Sequence, residues 1–249
     1  MPRKYSKEYE INYYDVDYNL KCKLPSIVNF FCDIGNRQSE SLGDTIERLT
    51  EKNMAWVFYK YDITILDYPK YRDIVTIETF PLAFNKFYAH RGYNVKNQDG
   101  KVLAKGIALF FLIDINRRRP MRIPNEEIEL YESQEINGKT IDMDEIEKIE
   151  RLDCNKIFDI RYSDIDSNGH VNNSKYMEWA IESVPLEVVK NHELRRIKVV
   201  FEKETIYGHK VNVETQVNEE VDGKITTVHL IKSDEDKELT KLEIEWERE

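Results

Sequence analysis

Hydrophobic positions along the chain follow a helical period at two places. Two groups of apolar residues share the spacing of a single helix face: Leu24, Ile27, Val28 and Phe31, then Met177, Ala180, Ile181 and Val184. Pro25 is compatible with a first helical turn, and Pro185 makes it difficult for the second helix to continue. The pattern therefore predicts one long amphipathic helix in each half of the chain.

After each helix the chain is rich in β-branched and aromatic residues. The runs that predict strands are 56–66, 73–81, 87–96 and 101–115 in the first half, and 196–203, 210–218, 224–232 and 239–246 in the second. The connections between them are short, and two contain an Asp-Gly pair, which favours tight antiparallel hairpins. With one opening strand before each helix, the order of elements predicts an α+β fold built from two similar halves.

Sequence landmarks recur in the same order in the two halves. The matched segments are 9–19 with 158–168, at a spacing of 149 residues (158 − 9), then 75–79 with 211–215 and 99–101 with 222–224. This shared order predicts an internal duplication. The first motif keeps its acids and its asparagine in both copies, but Lys21 stands where the second copy has His170. We therefore expect two related units with a single working site, in the second unit.

These patterns divide the chain into three predicted regions. Residues 1–130 form the first unit and 157–249 the second. The intervening 131–156 is rich in acidic residues and lacks a strand pattern, so we expect a solvated linker, with a short helix near 143–149.

Composition narrows the class of protein. The net charge of −10 over 249 residues argues against binding to nucleic acid or to an anionic membrane, although a local cluster of arginines can still dock an acidic protein. Cys22, Cys32 and Cys154 lack metal-ligand spacing and fit a reducing compartment. The sequence shows no signal peptide and no apolar run of about 20 residues. We expect a cytoplasmic protein with neither a metal nor another cofactor.

The segment 166–176, followed by Trp179 and Glu182, resembles the signature of the acyl-acyl carrier protein (acyl-ACP) thioesterases. In that family an Asp-x-Asn-x-His-x-Asn-Asn segment precedes the second helix. Stretches 56–75 and 194–204 resemble the strands of the same family, so the likeness covers almost the whole chain. The resemblance implies two tandem hotdog repeats, each with a long helix wrapped by an antiparallel sheet. It also implies hydrolysis of acyl-ACP to free fatty acid, which terminates elongation.

The resemblance points to His170, Glu204, Asp166 and Asn168 as the catalytic group. An imidazole and a carboxylate acting together can activate a water molecule, and which of the two removes the proton stays open. Turn residues of the Asp, Asn and Gly types also shape strand-to-helix turns, so a purely structural role is an equal alternative for Asp166. Asn172 and Asn173 are expected to bind substrate at the helix start, where unpaired backbone N–H groups can stabilise an oxyanion.

One departure from the family changes the expected chemistry. Plant members typically carry a cysteine after the glutamate, whereas this chain has Glu204 followed by Thr205. A threonine hydroxyl cannot replace a thiolate at neutral pH without a dedicated base. We therefore expect attack by an activated water and no covalent cysteine intermediate.

The first half lacks the histidine and is expected to supply the acyl pocket and the docking surface. Candidates for lining the pocket are Leu24, Ile27, Phe31, Met54 and Trp56, with ordinary core packing as the alternative for each. The basic cluster Arg117, Arg118 and Arg119 is the candidate docking surface for an acidic acyl carrier protein.

Three other functions remain compatible with the sequence. They are an acyl-CoA thioesterase, a hotdog module that binds acyl thioesters without hydrolysis, and a hydratase or dehydratase with different placement of the histidine and acid. The retained catalytic group favours hydrolysis. Both a monomer and a homodimer are compatible with two hotdog halves in one chain.

Overall fold

The computed structural model describes residues 3–132 and 134–248. By its internal contacts the chain forms two compact units, Met1–Lys60 with Leu66–Met143, and Tyr61–Ile65 with Asp144–Glu249. The domain boundaries near 130 and 157 stay predictions. Each unit by itself contains a long helix and an antiparallel sheet, as the duplication predicts.

The first unit places one long helix against an antiparallel sheet. Its strands are β1 (Tyr5–Glu10), β2 (Met54–Ile65), β3 (Ile74–Phe84), β4 (Tyr88–Lys96), β5 (Val102–Asp114) and β6 (Arg119–Pro120), and its helices are α1 (Leu24–Ser41), α2 (Ile46–Glu51) and α3 (Asn125–Leu130). The strand order is β1-β3-β4-β5-β2, with β6 paired to the end of β5. The last residues of β2 belong to the second unit.

The second unit repeats this plan. Its elements are β7 (Cys154–Asp159), α4 (Asn173–Ser183), α5 (Leu186–Asn191), β8 (His192–Phe201), β9 (Lys210–Val217), β10 (Lys224–Ser233) and β11 (Glu238–Arg248). The strand order is β8-β11-β10-β9-β7, and each pair is antiparallel. Both predicted helices and all eight predicted strand runs are confirmed, with ends shifted by a few residues.

The two long helices form for the reasons that their sequences indicate. Pro25 lies in the first turn of α1, and the buried face of that helix includes Phe31, whose ring stacks on Tyr93 of β4 at 4.5 Å. The side chain of Asn172 caps α4 by accepting the backbone N–H of Ser174. Each helix therefore positions a turn that immediately precedes it.

Backbone hydrogen bonds show which residues of the two repeats correspond. In the first repeat, Leu66 and Asp67 both donate to the carbonyl of Leu103; in the second, Glu202 and Lys203 both donate to the carbonyl of Leu239. These pairs preserve a spacing of 136 residues (202 − 66). The Asp-Gly landmark does not follow this spacing: 99–101 connects β4 to β5, whereas 222–224 connects β9 to β10. That element of the predicted duplication is wrong, because Asp-Gly reflects the local need of a tight turn.

The acidic linker has a different structure from the expected one. Residues 143–149 form no helix. Their backbone donors are instead used by the sheet of the second unit: Glu147 N–H bonds the side chain of Glu243, and the N–H groups of Glu150 and Arg151 bond the side chain of Gln216. Lys198 lies beneath this segment, paired with Glu243 and donating to the carbonyl of Glu145. We call residues 144–151 the strap.

A fully buried histidine organises the polar interior of the second unit. The Nδ1 atom of His229 lies 2.9 Å from the hydroxyl of Thr215, and its Nε2 atom lies 2.9 Å from the hydroxyl of Thr227. If His229 is neutral and carries its proton on Nδ1, every hydrogen bond in this group has one donor and one acceptor, and all of them point the same way. The chain then runs from the indole N–H of Trp246 through Thr227, His229, Thr215 and Ser183 to the carbonyl of Ala180.

Candidate active site

The turn before α4 is shaped by Asp166. Its carboxylate accepts the backbone N–H of Asn168 at 2.8 Å and that of His170 at 3.4 Å, while its own N–H donates to the carbonyl of His170. In the first repeat Asp17 accepts the N–H groups of Asn19 and Lys21 in the same way. The turn-shaping interpretation of Asp166 therefore has direct structural support.

The imidazole of His170 and the carboxylate of Glu204 are brought together at this turn. His170 Nδ1 lies 3.3 Å from Glu204 Oε2, with side chains 33% and 43% exposed, so both remain accessible to water and to a ligand. Glu204 lies just after β8, not on the strand that was expected. The strand ends because both Glu202 and Lys203 donate to one carbonyl, which interrupts the ladder.

Thr205 lies in the loop after β8 and joins that loop to the turn. Its backbone carbonyl accepts the N–H of Val171 at 3.0 Å. In the first repeat the carbonyl of Pro69 accepts the N–H of Cys22 in the same manner. This contact holds the loop that carries Glu204 against the turn that carries His170, and it uses the backbone of Thr205 and not its hydroxyl.

The helix start offers fewer free donors than the sequence predicts. Asn172 N–H bonds the carbonyl of Asp164, and the side-chain oxygen of Asn172 accepts the N–H and the hydroxyl of Ser174. The N–H of Lys175 bonds the carbonyl of Asn172. Among the backbone N–H groups of residues 172–175, that of Asn173 is the one without an acceptor in the described part of the chain. The role of Asn172 and Asn173 in binding substrate stays a prediction, and the backbone N–H of Asn173 is the group free to serve it.

Asp164 supports the turn from beneath. Its side chain is fully buried and accepts the backbone N–H and the guanidinium of Arg161, at 2.8 Å in each case. Although burial acts to raise it, these hydrogen bonds hold the pKa of Asp164 below its usual value. Asn168 donates weakly to Asp166 at 3.5 Å, so the structure places its amide within the turn. A structural role is thereby supported for both acids.

A buried tyrosine beside the site was not predicted as functional. Tyr176 on α4 is 2% exposed, and burial raises the pKa of its phenol. Its hydroxyl lies near the backbone of Thr205 and has no hydrogen-bond partner of standard geometry among the described residues. Because large aromatic residues on a helix usually fill the core, the sequence carries no signal that separates Tyr176 from its neighbours.

The predicted pocket residues of the first unit belong to its packed interior. Leu24, Ile27, Phe31 and Met54 are each at most 4% exposed. Trp56 is half-buried and packs against the cluster that contains Met54. Core packing therefore describes their observed environment, and their role in binding an acyl chain stays a prediction.

The basic cluster lies on the turn between β5 and β6. The side chain of Arg117 is 82% exposed, and its backbone N–H bonds Asp114 at 2.8 Å. Arg119 is exposed and pairs through its backbone with Asp114. Another pair of arginines, Arg195 and Arg196, is less exposed, and its guanidinium groups form ion pairs with Glu193 and Asp62.

Residues 3–132 and 134–248 contain neither a metal-binding cluster nor a membrane-spanning helix. None of the groups of histidine, cysteine, aspartate and glutamate in that part of the chain is arranged to hold a metal ion. No helix found there has both the length and the apolar character required to cross a membrane.

Two repeats each place a long helix on an antiparallel sheet, and the pair of His170 and Glu204 lies at the start of the second long helix. These features define a tandem hotdog protein with a candidate hydrolytic site in its second repeat. Solved structures agree with this fold. The structure of a putative oleoyl thioesterase from Lactobacillus plantarum superimposes with a TM-score of 0.93 and 29% identity, and the match covers 99% of this chain and 97% of that one. The 12:0-ACP thioesterase from Umbellularia californica matches 99% and 94%, with a TM-score of 0.86 and 21% identity. The predicted tandem hotdog fold is confirmed.

Residues 2–131 match the acyl-ACP thioesterase N-terminal domain and residues 146–248 match the C-terminal domain. The chain belongs to the acyl-ACP thioesterase family. Its curated relatives include the chloroplastic palmitoyl-acyl carrier protein thioesterase of Gossypium hirsutum, 24% identical over 97% of this chain. The chain spans 63% of the length of that relative and 65% of an oleoyl-acyl carrier protein thioesterase of Arabidopsis thaliana.

Proposed function

We propose that the protein hydrolyses acyl-ACP to a free fatty acid and the carrier thiol. Membership of the family supports the reaction class. The observation that carries the proposal is the 3.3 Å approach of His170 Nδ1 to Glu204 Oε2 at an accessible turn. The acyl carrier protein as partner, a cytoplasmic location and the choice between monomer and homodimer belong to the same proposal as expectations from the sequence.

The geometry favours one division of roles within the pair. Glu204 faces Nδ1 and holds the imidazole with its proton on that nitrogen, which leaves the lone pair of Nε2 for catalysis. His170 Nε2 removes a proton from water as the oxygen attacks the thioester carbonyl carbon. The negative charge that develops on the carbonyl oxygen is stabilised by the N–H of Asn173. Collapse of the intermediate breaks the C–S bond, and the proton on His170 passes to the leaving thiolate.

The direct test is thiol release from acyl-ACP and acyl-CoA substrates of several chain lengths. We expect turnover with acyl-ACP and slower turnover with acyl-CoA. Equal or faster turnover of the CoA esters would make the protein an acyl-CoA thioesterase. Tight binding of acyl-ACP with no thiol release would assign it to the non-catalytic hotdog modules.

Reversing the exposed charges of the basic turn tests carrier docking. We expect Arg117→Glu with Arg119→Glu to raise KM for acyl-ACP about three- to tenfold, because exposed charge pairs contribute about 0.2–1 kcal/mol each. KM for the CoA ester should change less. Lys224→Glu combined with Lys237→Glu, at two exposed lysines of the second unit, changes the net charge by the same amount and is the control. An equal rise of KM for both substrates would remove this turn as a docking surface.

A further inference from the structure

The turn of the first repeat keeps the backbone of the candidate active site but carries different side chains. Asp17 and Asp166 accept equivalent backbone donors, as do the carbonyls of Pro69 and Thr205. By the same spacings, Lys21 stands at the position of His170 and Tyr68 at that of Glu204. The first turn has therefore retained the scaffold and lost the hydrolytic pair.

Two glycines of the second repeat, one in the turn before α4 and one in the loop before β9, are replaced by large residues in the first repeat. Gly169 and Gly208 have φ angles of 80° and 92°, in the left-handed region. The corresponding Leu20 and Arg72 keep that region, with φ angles of 60° and 70°. A left-handed conformation costs a residue with a side chain roughly 1–2 kcal/mol. The first repeat carries this strain at both positions, although its counterpart shows that glycine fits the same scaffold.

Exposed apolar side chains surround a groove at the first turn, and two of them, Tyr18 and Leu20, are replacements. Tyr13, Tyr18 and Leu20 are 74%, 75% and 46% exposed. With Val16, Asp17 and Lys23 they line a groove of about 420 Å³. In the second turn, serine and glycine occupy the positions of Tyr18 and Leu20. The groove volume falls within the usual range for small-molecule sites, about 300–1,000 Å³.

The charges beside the groove favour an anionic ligand. Lys23 lines it directly, and the guanidinium of Arg72 lies 5.1 Å from the ring centre of Tyr71, which in turn contacts Tyr13. The one acid in the lining, Asp17, already accepts two backbone N–H groups. The corresponding positions of the second turn, Asn172 and Gly208, are uncharged. Cations were thus added to the same surface that gained apolar side chains.

We propose that this groove binds the phosphopantetheine group of a thioester carrier without hydrolysing the thioester. The inference rests on the proposed function, which brings this group to the equivalent turn of the second repeat. Lys23 and Arg72 match the charge of its phosphate, and the exposed tyrosines and Leu20 contact its methyl groups and its amide-bearing arm. With Lys21 and Tyr68 in place of His170 and Glu204, the scaffold holds the arm and supplies no imidazole to activate water.

Titration of the full chain with 4′-phosphopantetheine tests the proposal. We expect the wild-type chain to bind two equivalents, one at each turn. Leu20→Gly combined with Arg72→Gly should weaken binding at the groove at least about tenfold, leaving one measurable equivalent. This double variant restores the glycines of the second turn and relieves backbone strain, so folding is preserved. Its kcat for acyl thioesters should stay unchanged.

Asp222→Gly is the matched control, because Asp222 has a φ angle of 51° on an exposed turn of the second unit. This variant relieves the same kind of backbone strain at a position about 200 residues after the groove residues, so it should still bind two equivalents of 4′-phosphopantetheine. Parallel titrations with coenzyme A and with holo acyl carrier protein identify which carrier supplies the group.

The outcomes separate this proposal from the proposed function. A chain that hydrolyses acyl thioesters, yet binds one equivalent whether or not the two glycines are introduced, overturns the second site alone. A chain inactive on every thioester overturns the proposed function. Loss of one equivalent in the double variant supports the groove in either case.

Discussion

Replacing His170 with alanine is expected to lower kcat for acyl-ACP by about 10²–10⁴-fold, the usual contribution of a positioned general base. In the proposed mechanism Nε2 of His170 removes the proton from water, and Glu204 acts through the ring by its contact with Nδ1 at 3.3 Å. Initial rates of thiol release at saturating substrate give the measurement. Glu204→Gln should lower kcat less than His170→Ala, since the amide can still accept a hydrogen bond from Nδ1.

Two variants control this prediction. Lys21→Ala removes the side chain at the equivalent position of the first repeat and should leave kcat unchanged. Thr205→Ala should retain most activity, because the observed contact of Thr205 with the turn uses its backbone carbonyl. A Thr205→Ala protein as inactive as His170→Ala would refute attack by activated water and restore a nucleophilic side chain to the mechanism.

The stability of the protein should fall steeply in acid because of His229. Full burial lowers the pKa of this imidazole from 6.5 to about 3. The unfolded chain therefore binds a proton that the folded chain does not, and this group's contribution to stability is complete above about pH 6.5. It is lost as the pH falls toward 3, at up to about 1.4 kcal/mol per pH unit.

The comparison of wild type with His229→Gln isolates this effect. Free energies of unfolding measured by urea denaturation between pH 7 and 4 should decline less steeply in the variant, whatever its stability at pH 7. Ser183→Ala removes one hydroxyl from the same chain of hydrogen bonds and should lower stability at every pH without changing the slope. Parallel pH profiles for wild type and His229→Gln would show that the imidazole is not held neutral.

The fold was predictable because its signals are local and repeated. The periodicity of Leu24, Ile27 and Phe31 depends on burial of one helix face, which the structure confirms. The end of β8 was misplaced because it is set by a bifurcated contact with Leu239 on another strand. The sequence pattern before Glu204 therefore gives no indication of where the strand ends.

The linker helix failed for a related reason. Its acidic residues favour a solvated helix by composition, but its backbone donors find acceptors in Gln216 and Glu243 on the sheet. Hydrogen bonds between a side chain and a backbone far away in the chain produce no regular spacing in the sequence, so they cannot be predicted from it. Similarly, the juxtaposition of His170 and Glu204 was expected through the family resemblance, whereas residue spacing alone left the base undecided.

The strap also bears on where this chain can be divided. Lys198 and Glu243 are 8% and 6% exposed because residues 144–151 lie over them and bond their side chains. The sequence alone places the start of the second unit at 157. A fragment that began there would expose the pair of Lys198 and Glu243 to solvent, and the side-chain oxygen of Gln216 would lose both of its backbone donors. For expression of this half, or for transplanting it into a chimera, the segment should start at Asp144 and not at 157, together with Tyr61–Ile65, which the same unit contains.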